Sequence, residues 1–207
     1  MTANEMKEKI IAKEWLMFQE TENAGGRASC QDNYPAFEGM RMGQFDAWSD
    51  DVLTAYLEDV TLAESEGRNL IAEKYLRMME ETHPAEYEMQ KDLLPPTSVS
   101  QYKVAAEICE IILRQSAVMM QKYPIVAAAG RPLHKGEVGK LGTSIETYQM
   151  GELMTYSEKT LTALLARVRA LESEGVSYSE KILENSVKFY GYTSLDQAEE
   201  AQRRARG

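Results

Sequence analysis

The chain has 207 residues, 43% of them hydrophobic and 27% charged, with a formal net charge of −10 at pH 7. Such a composition buries a full core without disulfide or metal staples. A surface this acidic repels phosphate backbones and anionic headgroups, so neither nucleic acid nor a membrane is an expected partner.

The start, MTANEMKEKII, lacks the uninterrupted apolar run of a secretory signal. No apolar stretch approaches the roughly 20 residues of a membrane-spanning helix. Two cysteines, Cys30 and Cys109, make no framework, so a reduced, cytoplasmic setting is expected.

Residues 4 to 21 place Met6, Ile10, Ile11, Trp15 and Phe18 at helical intervals, one apolar stripe that Gly25 and Gly26 bring to an end. A short helix over 34 to 45 has Pro35 in its first turn, where a missing N–H costs nothing. Ser49 or Asp50 caps the next helix, carrying Val52, Leu53, Tyr56, Leu57 and Val60 and closed by Gly67. Residues 69 to 82 form another, Pro84 starts a short one, and Pro95-Pro96 ends it. Ser98 with Gln101 reads as a capping box for a long helix through Ile108, Ile111 and Ile112 that Pro124 stops.

The stretch 130 to 142 holds four glycines and is read as the longest loop. Thr143 with Glu146 reads as a second capping box, opening a helix that runs to about 173. Ser177 with Glu180, and Ser194 with Gln197, open two more. No alternating strand pattern exceeds three or four residues. The expectation is an all-α protein, a single compact domain over 1–207 with about seven to nine helices.

Three Gly-Arg pairs stand at predicted helix boundaries: Gly26-Arg27, Gly67-Arg68 and Gly130-Arg131. Glycine lets a backbone turn, and the arginine fork suits a carboxylate or phosphate. The alternative is that each arginine pairs with a neighbouring acid among the 33 in the chain. Cys30 has no histidine near it in sequence, and the structural reading, a small buried residue, outweighs a nucleophile.

Tyr148, Glu152, Thr155 and Lys159 follow one another at i, i+4, i+7 and i+11, one polar face of the predicted 143–173 helix. Gly151 inside that helix signals a close approach by another helix or by a ligand. Glu80 and His83 supply one Glu-x-x-His spacing without a second copy, so no metal site is expected. No P-loop and no nucleophile elbow is present.

The segments KEWLMFQETENAGGRASCQDNYPAFEGMRMGQFDAW, EGRNLIAEKYLRMMEETHP, GRPL, TSIETYQMGELMTYSEKTL and YGYTSLDQAEE together resemble a bacterial family described as domain of unknown function 4125. The resemblance spans nearly the whole chain. It implies a bacterial source, consistent with a cytoplasmic setting, and implies no activity, catalytic residue or cofactor.

Two readings of function remain. One is a small-molecule site between helices, lined by Arg27, Gln31, Arg41, Arg131, Glu146, Tyr148 and Glu152. There the arginines hold a small anionic ligand and Glu152 and Tyr148 orient it, with proton transfer open to them if a reaction occurs. The other is a helical interaction module or homodimeric accessory protein without catalysis, which predicts an exposed apolar patch.

Overall fold

Ten α-helices run through the residues that the computed structural model describes, which are 1–22, 26–127, 130–137 and 142–206. In chain order they are α1 (Ala3–Glu20), α2 (Tyr34–Phe45), α3 (Asp50–Ser65), α4 (Leu70–Thr82), α5 (Pro84–Gln90), α6 (Val99–Lys122), α7 (Ile145–Leu153), α8 (Glu158–Ser173), α9 (Tyr178–Phe189) and α10 (Leu195–Arg206). No strand occurs among the described residues. Gly25, read as a helix stop, and Gly139, one of the four loop glycines, lie outside them.

Side-chain caps set most of the boundaries. Thr2 and Glu5 form a reciprocal capping box on α1. Asn33, Asn69, Ser98, Ser144, Ser157 and Ser177 each accept an N–H from the first turn of the helix that follows. The reciprocal half of the box expected at Ser98 is absent. Gln101 Nε2 instead donates to the Tyr156 carbonyl at 2.7 Å, tying α6 to the corner after α7.

That corner corrects the continuous helix expected to about residue 173, and raises the count above nine. Ser144, not Thr143, caps α7 through the Thr147 N–H at 3.0 Å. The chain then turns through 154–157, and Ser157 caps α8 through Thr160. Asp59 of α3 stabilises the break, accepting from the Ser157 N–H at 3.0 Å and the Thr160 hydroxyl at 2.7 Å. Backbone groups satisfied by side chains have no need of the helical ladder. Consequently Tyr148, Glu152, Thr155 and Lys159 do not share one helix face: Lys159 lies at the surface, paired with Glu58 at 2.5 Å.

α1 packs on α3, α2 and α4, α4 packs on α7, and α2 packs on α9. α6 lies against α7, α8 and α9. The main core joins Ile10, Phe45, Val52, Leu53, Ile108 and Leu161 with their neighbours. A smaller cluster of Tyr123, Val126, Val187, Leu195 and Ala198 seats α10 on α9.

Two helix pairs approach closely because a side chain is missing. At Gly43 a Cβ would lie 2.5 Å from Ser186 Oγ and 3.2 Å from Ser186 N on α9. At Gly151 a Cβ would lie 2.7 Å from Met78 Cγ and 3.0 Å from the Lys74 carbonyl on α4. The close approach that Gly151 signals in the sequence is therefore made by a helix. Gly151→Ala should lower stability by about 1–3 kcal/mol in urea unfolding, because buried Met78 and the α4 backbone must both give way. At Gly39→Ala the nearest atoms, all within 2.9 Å of the new Cβ, belong to the half-exposed ring of Phe189, which can swing toward solvent, so the substitution should cost less than Gly151→Ala. Equal costs at the two sites would contradict this account of the α4–α7 contact.

Candidate functional site

Four charged side chains lie almost wholly out of water where α1, α2, α4 and α7 meet: Glu14 at 0%, Arg41 at 3%, Lys74 at 4% and Glu152 at 5% exposure. Two carboxylates face two cations, so the group is neutral. Arg41 donates through Nε to Glu14 Oε2 at 2.7 Å and through Nη2 to Glu14 Oε1. Its Nη1 reaches Glu152 Oε1 at 2.9 Å and Gln44 Oε1 at 2.9 Å. Lys74 Nζ donates to Glu152 Oε2 at 2.5 Å.

Two tyrosines complete the carboxylates. The Tyr56 hydroxyl donates to Glu14 Oε1 at 2.6 Å and the Tyr156 hydroxyl to Glu152 Oε1 at 2.7 Å. Gln44 Nε2 adds a bond to Glu152 at 3.0 Å. Phe45, Trp48, Tyr56 and Tyr156 pack ring against ring around this network, and the Arg41 guanidinium sits 4.7 Å from the Phe45 ring centre.

The protonation states follow from burial set against charge. Burial opposes ionisation of Glu152, but Lys74 and then Arg41 outweigh it and hold the carboxyl well below its usual range. Burial likewise opposes the Lys74 and Arg41 charges; Glu152 for the first, and Glu14 with Glu152 for the second, raise both above their ordinary values. Burial first, and then the adjacent carboxylates, push the Tyr56 and Tyr156 phenols well up.

One side of the network opens into a cavity of about 250 Å³. Among the described residues its charged lining consists of Arg41, Lys74 and Arg131, all cations. Phe18, Phe37, Met40 and Ile71 give it apolar walls, and Tyr75 and Tyr148 give it aromatic ones. The Tyr148 ring is contacted by two of the cations, with Lys74 Nζ 3.5 Å and Arg131 Cζ 4.3 Å from its centre. Arg131 is held there by the backbone: the Ile145 and Glu146 N–H groups at the start of α7 donate to the Pro132 and Leu133 carbonyls at 2.8 and 3.1 Å. Unused helix N-terminal donors thus fasten the loop to the helix that carries Tyr148.

Of the seven residues singled out in the sequence, Arg41, Arg131 and Tyr148 line this cavity, and Glu152 lies directly behind Arg41. Gln31 does not line it. Its amide donates to the Phe18 and Thr21 carbonyls at 2.7 and 2.9 Å, closing the C-terminal end of α1. Arg27 belongs to the same closure, bonded to Asp32, Gln19 and the Gln31 carbonyl. Glu146 faces a separate groove, where its carboxylate meets His134 and the Lys135 N–H.

The three Gly-Arg pairs therefore differ. Arg27 pairs with Asp32, and Arg68 forks onto Glu73 at 2.8 and 2.9 Å. Arg131 makes no ion pair with any described residue. Cys30, read as a small buried residue, is instead exposed at the cavity edge, because its neighbour Gln31 ties the turn to α1 and leaves it outside.

Sequence reasoning missed Glu14, Lys74, Tyr56, Tyr75 and Tyr156. A signal existed for the two charges. Glu14 lies between Ile10 and Phe18, and Lys74 between Leu70 and Met78, each four residues from both apolar neighbours. A charge inside an apolar stripe is either buried with a partner or absent from a stable fold.

A family model described as "Protein of unknown function (DUF4125)" matches residues 4–200, and the chain belongs to that family. No curated protein and no solved structure matches it significantly.

Glu152 titrates near the ordinary value of about 4.3 when unfolded and well below it when folded. Its contribution is complete above that pH and lost as pH falls through the lowered folded value. Lys74, Tyr56 and Tyr156, all raised, contribute below about pH 10 and lose it as pH climbs. Stability should be level from about pH 5 to 9 and fall on both sides. Glu152→Gln should lower the plateau by about 3–5 kcal/mol and shallow the acid limb, as read by urea midpoints across pH.

The two thiols should separate cleanly. Burial pushes Cys109 up to about 12, whereas Cys30 is open to solvent. Native protein should consume one equivalent of a thiol reagent quickly and the second only on unfolding. Two fast equivalents would place Cys109 nearer the surface than the fold allows.

Proposed function

We propose that this protein binds a small anionic molecule in the cavity between α1, α2, α4 and α7. The observation that carries the reading is the sign of the lining: among the described residues its charged members are Arg41, Lys74 and Arg131, and no carboxylate joins them. Arg41 and Lys74 are already engaged by Glu14 and Glu152. Arg131 stays uncompensated over an aromatic ring at the entrance, a fork of donors suited to an oxyanion. The apolar and aromatic walls suit the rest of such a ligand.

The same geometry argues for binding rather than for acid–base catalysis by the buried groups. A general base works best with a pKa near the operating pH. Glu152 is held ionised far below it and is bonded to Arg41, Gln44, Lys74 and Tyr156. Glu152 thus positions the cations, and no reaction is assigned to the site.

A second reading, an interaction module or homodimer, rests on a run of exposed apolar side chains. Met89, Leu93, Val99 and Tyr102 follow one another from α5 through the turn after it to the start of α6, and Met89 is 81% exposed.

Native mass spectrometry of protein purified without added ligand tests both readings at once. The expected spectrum carries an acidic small molecule that disappears in Arg131→Ala, while the melting temperature without ligand stays within about 2 °C of the parent, since Arg131 makes no structural ion pair. A bare mass for both proteins, with no thermal stabilisation by organic anions, would sink the binding reading. A bare dimer would move the weight to the interaction module.

A further inference from the structure

We infer that the cavity selects a monocarboxylate with a small apolar body and rejects dianions such as phosphate monoesters. This deepens the anion-binding reading above and rests on it. The argument is one of charge accounting at a site partly withdrawn from water. Glu14 and Glu152 neutralise Arg41 and Lys74, leaving the exposed Arg131 as the one cation without an ion pair among the described lining residues. One negative charge on the ligand completes the balance. A second would need its own counter-charge or would be desolvated alone.

Among the described residues, the lining offers no spare cation for that second charge. The Lys74 charge is already matched by Glu152, which it meets at 2.5 Å, and would balance a dianion's second charge only by leaving it. Glu152 would then be a buried carboxylate short of one of its cations. Arg41 is still less available, since Glu14 takes its Nε and Nη2 and Glu152 and Gln44 take its Nη1. A carboxylate asks for less. Lys74 has three N–H bonds and gives one to Glu152, so it can donate to a ligand oxygen without abandoning its partner. Arg131 supplies the charge-assisted second contact.

Size and polarity point the same way. At ~30 Å³ per water, the 250 Å³ cavity holds about eight waters, which suits a compact acid rather than a nucleotide. Phe18, Phe37, Met40 and Ile71 offer the body of that acid only apolar contact, which favours an apolar body on that wall.

The test uses the full-length protein and calorimetric titration at about pH 7.5 with phenylacetate, isovalerate, phenyl phosphate and phenylacetamide; phenyl phosphate is mainly a dianion there, its second pKa being about 6. Maleimide labelling of Cys30, at the cavity edge, reports whether binding occurs in this cavity. We expect at least one of the two carboxylates to bind about tenfold or more tighter than the phosphate and the amide, and to slow Cys30 labelling. Arg131→Ala should weaken it about tenfold, and Arg131→Lys, which keeps the charge, by less.

Phenyl phosphate binding as tightly as the carboxylates, with Cys30 protected, would overturn the charge accounting and leave the anion site standing. Equal binding of phenylacetamide would overturn the need for charge. Failure of all four probes, with Cys30 labelling unchanged, would remove both the selectivity and the anion-binding reading.

Discussion

Charges taken out of water must be neutralised where they lie, and the junction of α1, α2, α4 and α7 meets that demand at one point, the Arg41 guanidinium. Its fork holds Glu14 of α1 on one side and Glu152 of α7 on the other, and Glu152 in turn holds Lys74 of α4. Removing any one member leaves an uncompensated buried charge, a larger penalty than the intact network's own contribution to stability. The network therefore acts mainly as a registration device. α1, α2, α4 and α7 can assemble in few arrangements other than the one that brings these groups within hydrogen-bonding distance.

Such registration works only if the helices can come close enough. Lys74 and Glu152 meet because α7 presents Gly151 to the α4 backbone, one residue before the carboxylate itself. α2 is seated on α9 by Gly43, where Asn185 Nδ2 also donates to the Gly43 carbonyl at 3.0 Å. Arg41 is thereby directed away from α9, into the junction with α1 and α7. The glycines and the charges are thus parts of one constraint: the first fixes the helix spacing at which the second can pair.

Much of this was legible in the chain. Helical periodicity and capping residues placed nearly every boundary, because both are local properties. The exception at 154–157 depends on Asp59, almost a hundred residues away, whose carboxylate stabilises a turn that local pattern alone reads as continuous helix. Arg41, Glu152, Arg131 and Tyr148 were visible as polar residues near glycines. Arg27 and Gln31 looked equivalent, since nothing in the sequence shows that their donors are spent on the end of α1. Lys74 and Glu14 escaped because a single charge in an apolar stripe reads as an interruption until its partner on another helix is known.

The contrast among the three Gly-Arg pairs shows how a structural residue differs from one held ready for a ligand. Arg27 and Arg68 spend their forks on acids at most five residues away. That is the cheapest arrangement in a chain with a large excess of carboxylates. Arg131 keeps its fork out of such pairs although the protein around it is acidic. The loop backbone, bonded to the first N–H groups of α7, carries its guanidinium onto Tyr148, where it pairs with no carboxylate among the described residues. The cap at Ser144 fixes that same first turn. One helix start therefore positions the ring, the loop and the uncompensated charge together, and the buried tetrad behind them supplies a lining that is cationic in contact yet neutral in sum.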